Sequence, residues 1–130
     1  MHFFQTPLVF EMKPVRVQLI GNAAEEFENL NKIVGQEQAN DIQNSEHQQL
    51  LKSIKQKIEL IKANPQYGAP VPKTLVKKSG YLVDNLWVAD LVGYWRMLYT
   101  LKGDQVEILC FVLEIIDHKR YDKIFGYRKK

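Results

Sequence analysis

Val106-Glu107-Ile108-Leu109-Cys110-Phe111-Val112-Leu113-Glu114-Ile115-Ile116 is apolar at nearly every position, and residues 108–113 are uninterrupted. Such a run is buried on both faces, which predicts a strand near the centre of a sheet. Ahead of it, Lys102-Gly103-Asp104-Gln105 reads as a hairpin turn. Tyr94 to Leu101, rich in aromatic and bulky residues, reads as the strand that the turn joins to it. Further upstream Leu82-Val83 and Leu86-Trp87-Val88-Ala89 are strand-like, separated by the turn-prone Asp84-Asn85. Residues Asn64 to Lys73 hold Pro65, Gly68, Pro70 and Pro72, a loop that is no strand interior.

The N-terminal half has a different period. Val15-Arg16-Val17-Gln18-Leu19 alternates apolar with polar, as a half-buried strand does, and Gly21-Asn22 closes it. Asn22 followed by Glu25 predicts a helix N-cap, and Ala23, Phe27, Leu30 and Val34 share one helical face up to a stop at Gly35. Residues 36–44 form a polar connection. Ser45 and Gln48 have capping-box spacing, and Leu51, Ile54, Ile58 and Ile61 form the stripe of a second helix. That helix ends at Asn64-Pro65, because proline disfavours the helical conformation of the residue before it.

The order β-α-α-β-β-β predicts an α+β fold: an N-terminal strand and a helical hairpin packed on one face of a twisted, mainly antiparallel sheet. With 130 residues the chain is read as one domain over 15–130, preceded by an extended arm at 1–14 and ending in a basic tail. The composition, 45% apolar and 25% charged, is that of a globular protein and not of a disordered one. No stretch reaches the roughly 18 apolar residues of a membrane span. Met1 to Pro7 lacks the basic region and long apolar run of a signal peptide, so the expected compartment is the cytoplasm. The lone Cys110 has no partner for an internal disulfide and sits in the most apolar segment, where a core thiol is expected.

Charge is unevenly spread. Residues 1–63 carry 7 basic and 8 acidic side chains, whereas residues 64–130 carry 11 and 7. Six of those basic groups fall between Asp117 and Lys130, which predicts a local anion-binding surface. For Arg128-Lys129-Lys130 a solvated tail is the competing reading. The seven glycines are scattered, so no phosphate-cradling loop is present, and His2, His47 and His118 lie too far apart in sequence for a metal motif. No serine sits in a nucleophile-elbow pattern.

Two places remain for chemistry. Arg96 lies mid-strand among aromatics, where it either pairs with a carboxylate such as Asp90 or opens onto a groove and binds an anion. Immediately after the central strand, Asp117-His118-Lys119-Arg120-Tyr121-Asp122-Lys123 brings cations, an imidazole and a phenol together. With Arg96 these groups suit a phosphodiester, Tyr121 stacking on a base; a solvated strand exit whose tyrosine covers the core edge is the alternative.

The element order, the helix ending in Asn64-Pro65, the strand Trp95-Arg96-Met97-Leu98-Tyr99 and the apolar strand running into His118-Lys119-Arg120-Tyr121 resemble the RelE/ParE toxin superfamily of type II toxin–antitoxin systems. The resemblance covers about residues 15–125, and Asn85–Leu91 with Tyr94–Tyr99 is most similar to the archaeal RelE-like branch. It implies a ribosome-dependent endoribonuclease that cuts messenger RNA without metal or other cofactor, the ribose 2′-hydroxyl attacking the adjacent phosphate. It implies Arg96 on the phosphate, Tyr121 (with Tyr127 as its rival) and His118 in catalysis, and Lys119 and Arg120 as the basic pair binding RNA. Lys77 and Lys78 are further candidates for phosphate, brought in only if the fold allows. A cognate antitoxin is the implied protein partner, and no membrane is. One departure stands out: lysines of ribosome-dependent members align with Trp87 and Ala89, neither of which is basic. Inhibition of DNA gyrase in the ParE manner, or an inactive relative that only binds antitoxin, are the alternatives.

Overall fold

The computed structural model describes residues 13–126. Most of the expected N-terminal arm (1–12), the rival Tyr127 and the tail Arg128-Lys129-Lys130 lie outside the described residues. Within them the chain runs β1 (Val15–Leu19), α1 (Gly21–Ala39), α2 (Glu46–Ala63), β2 (Ala69–Pro70), α3 (Lys73–Ser79), β3 (Trp87–Asp90), a 3-10 turn (Val92–Tyr94), β4 (Trp95–Gly103), β5 (Ile108–Asp117) and α4 (His118–Phe125). The fold is α+β with a five-stranded mixed sheet in the order β1-β5-β4-β3-β2.

β1 pairs with β5 in parallel, and every other pairing is antiparallel. The apolar run of β5 therefore lies between two strands, as its two-sided hydrophobicity predicts. Opposite the Leu98/Tyr99 step the β4–β5 register shifts, leaving Leu113 as an extra residue between Val112 and Glu114. Such a bulge turns consecutive side chains toward one face.

Both helices of the N-terminal hairpin pack on one face of the sheet. Ala23, Leu30 and Val34 of α1 and Leu51, Ile54 and Ile61 of α2 close over Met97, Tyr99, Cys110 and Val112. Each aliphatic side chain taken fully from water, such as Ile54 or Ile61, contributes about 1.5–3 kcal/mol. Ser45 caps α2 as expected, its Oγ accepting the Gln48 N–H at 3.1 Å. Gln48 reaches back one residue further than a capping box does, to the Asn44 N–H at 2.6 Å.

The structure departs from the sequence reading in four places. First, α1 begins at Gly21 and runs through Gly35 to Ala39. Gly35 has open space around it and takes an ordinary helical conformation, so nothing stops the helix there. Asn22 lies inside α1, and its amide donates to Glu114 Oε2 at 3.2 Å instead of capping. Second, the loop after α2 holds a two-residue edge strand, where Pro70 is tolerated, and then α3, announced by Pro72 before it and ended by Gly80 at φ 84°. Third, Leu82, Val83 and Tyr94 are outside the strands expected to hold them, Leu82 being fully exposed, while Lys102 and Gly103, expected in the hairpin turn, continue β4.

Fourth, helices cover both faces of the sheet. Val76 of α3 with Tyr121 and Phe125 of α4 pack on Leu98 and Ile116, forming a second core. The expected strand exit is thus the first turn of a helix, with Asp117 as its cap: Asp117 Oδ1 accepts the Arg120 N–H at 3.0 Å. No helix among the described residues is long and apolar enough to cross a membrane.

Candidate functional site

Arg96 sits opposite Asp90 in the β3–β4 register, so both side chains leave the same sheet face. The Arg96 Nε lies 3.4 Å from Asp90 Oδ1, and its guanidinium lies 4.4 Å above the centroid of the Tyr121 ring. Arg96 is paired with Asp90 and yet its side chain is 34% exposed, with Asp90 at 85%. At that exposure the ion pair is worth about 0–1 kcal/mol, and the cation–π contact about 0.5–1 kcal/mol. The guanidinium is held in place without being withdrawn from solvent.

Tyr121 is buried, and its ring packs at 4.7 Å against Phe125 while carrying Arg96. The expected role of stacking on a base is corrected by this packing, because the ring is a core element occupied by protein on both counts. Its place in the site is to support Arg96.

His118 opens α4, and its ring meets that of Tyr94 edge to face, centroids 5.7 Å apart. Tyr94 holds a left-handed backbone, φ 64°, directly after Gly93 at φ 70°. For a bulky residue that conformation costs about 1–2 kcal/mol. The first turn of α4 carries His118, Lys119 and Arg120 and no acidic residue. The carboxylate of Asp117, which caps the same turn, offsets part of the positive charge gathered there.

The remaining sequence candidates separate. Lys119 is exposed on that same turn. Arg120 lines a different cavity, about 540 Å³, with Asn22, Glu25, Glu26 and Glu114. Lys78 lies against Gly126, so close that a Cβ there would stand 2.7 Å from Lys78 Cε. That is the far end of α4, about 12 Å from His118 at 1.5 Å per residue. The fold therefore places Lys78 at the end of α4 opposite to His118. Trp87 stacks on Tyr99 and Ala89 is buried, both on the α1–α2 side of the sheet. On the Arg96 side β3 presents Val88 and Asp90, so it supplies no cation to the site.

Two further groups were not singled out by sequence reasoning. Glu114 is buried, its Oε2 accepting the Tyr81 hydroxyl at 2.7 Å as well as the Asn22 amide. Burial, and then the bond to Glu114, hold the Tyr81 phenol well above its ordinary range. The available signal was an acid inside the most apolar run of the chain. Cys110 is fully buried as expected, and burial pushes its thiol up to about 12. Among the described residues no three His, Cys, Asp or Glu side chains are grouped to hold a metal ion.

Comparison of the chain with protein-family models, with curated proteins and with solved structures finds no match.

Proposed function

We propose that this chain is the toxin of a type II toxin–antitoxin system of the RelE/ParE kind, acting in the cytoplasm as a ribosome-dependent messenger endoribonuclease. The observation that carries the reading is a partly exposed Arg96 propped on Tyr121, a residue of the helix that His118 opens. The order of strands and helices supports it as well.

In the reaction the 2′-oxygen forms a bond to phosphorus and the bond from phosphorus to the 5′-oxygen breaks. The 2′-hydroxyl gives up a proton and the leaving oxygen takes one. Arg96 stabilises the charge that develops on the phosphate, since a guanidinium donates hydrogen bonds without losing its proton. His118 moves the proton, since an imidazole has one ring nitrogen that accepts a proton and another that carries one. Lys119 adds positive potential, and Tyr121 positions the guanidinium. A short acidic antitoxin complements the basic C-terminal half and covers this surface.

Gyrase inhibition is the second reading, favoured by one observation: β3 places Trp87 and Ala89 in the core and a carboxylate, Asp90, beside Arg96. Expression in cells separates the two. The nuclease halts translation and leaves messages cut in register with codons. Arrested replication with intact messages overturns the nuclease in favour of the gyrase reading, and unaffected growth overturns both.

A further inference from the structure

Among the described residues Tyr94 belongs to neither core, and the one ring it meets is that of His118. The residue is 79% exposed and is carried on a left-handed backbone that a glycine adopts more easily. A strained residue that displays an aromatic ring to solvent marks a docking point. The ring shares a groove of about 490 Å³ with Arg96 and Asp90, within the roughly 300–1,000 Å³ of small-ligand clefts. We propose that Tyr94 is a stacking platform for an unpaired base of single-stranded RNA, placed so that the neighbouring phosphate reaches Arg96.

The inference rests on the nuclease reading for its ligand class and adds the residue that holds the base. A nucleotide presents a flat π face joined to a phosphate, and this groove offers a flat ring two residues from a guanidinium on the same stretch of chain. An apolar peptide side chain uses the ring and leaves the guanidinium idle, whereas a nucleotide uses both. Asp90 approaches Arg96 at Nε, and a guanidinium has further N–H groups for phosphate oxygens. His118 borders the ring and supplies a second cation when protonated. Because every base has a π face, the platform accepts all four with little preference.

The test is titration of the full chain with a fluorescent single-stranded RNA hexamer made uncleavable by 2′-O-methyl groups. Tyr94→Gly suits φ 64° and is expected to melt at or above the wild-type temperature while binding about tenfold to a hundredfold more weakly. Tyr94→Trp restores binding. The loss in Tyr94→Gly persists at high salt, while that in Arg96→Ala shrinks, because only the second is a charge effect. Wild-type affinity in Tyr94→Gly, no binding of the hexamer by the wild type, or a loss confined to an acidic peptide used as competitor would each overturn the platform. If Tyr94→Gly loses the hexamer but expression of the wild type leaves messages whole, the platform stands and the nuclease reading falls. If messages are cut and Tyr94→Gly binds normally, the reverse holds.

Discussion

The guanidinium of Arg96 rests 4.4 Å above the ring of Tyr121, so a residue of β4 and a residue of α4 form one unit across the second core. Arg96 is reached by solvent, and Tyr121 is not. The exposed member can therefore act on a ligand while the buried one fixes where it acts.

Arg96→Ala is expected to lower messenger cleavage by about 10²–10³-fold, the scale of removing one charge-stabilising donor. Stability changes by no more than about 1–2 kcal/mol, because the stranded carboxylate of Asp90 is 85% exposed and already solvated. Cleavage rate and melting temperature on the same preparation check this, and a loss of several kcal/mol would show that the pair is structural.

Tyr121→Ala opens a cavity beneath Arg96 and beside Phe125, at a cost of about 3–5 kcal/mol. Tyr121→Phe keeps the ring that carries the guanidinium, so most of the activity is retained. A large loss in Tyr121→Phe with an unchanged melting temperature would assign the chemistry to the hydroxyl. Urea titration alongside the cleavage assay distinguishes these outcomes.

Stability falls at alkaline pH. Burial raises the Tyr81, Tyr99 and Cys110 side chains above their ordinary values, and the bond to Glu114 adds to the effect at Tyr81. Each stays protonated in the folded chain at a pH where the unfolded chain has released its proton. Their contribution is complete below the unfolded values, about 8.5 for cysteine and 10 for tyrosine, and declines as pH rises toward the folded ones. Urea midpoints are thus expected to be flat between pH 7 and 8 and to drop from pH 9 to 11. Tyr81→Phe flattens the upper part of that slope.

Gly68→Ala is expected to destabilise by about 1–3 kcal/mol through overpacking. A Cβ at Gly68 would stand 2.5 Å from the Val88 carbonyl oxygen and 2.8 Å from Tyr99 Oη. The same glycine donates its N–H to Tyr99 Oη at 2.9 Å, and that hydroxyl donates to the Pro65 carbonyl at 3.0 Å. Faster hydrogen exchange confined to residues 65–71 and β3 would accompany the loss, and wild-type stability would refute this packing.

Local chemistry decided much of this protein. The alternation in Val15–Leu19, the stripe Leu51, Ile54, Ile58, Ile61 and the two-sided run of β5 each state a period and a burial requirement that only one element satisfies. Ser45 and Asn64-Pro65 mark the ends of α2 because capping and the pre-proline clash act within a few residues. Arg96 and His118 were legible as candidates for a similar reason: a cation among aromatics and an imidazole at a strand exit are conspicuous in any fold. Other features are decided by residues distant in sequence. Helices α3 and α4, at 7 and 8 residues, are too short to declare a stripe and exist because Leu98 and Ile116 offer them a second face. The division of Lys119 from Arg120 and the remoteness of Lys78 depend on how α4 lies across the sheet. The exposed ring of Tyr94 depends on a backbone angle that no residue type announces, since a tyrosine beside a glycine reads the same whether its φ is negative or positive.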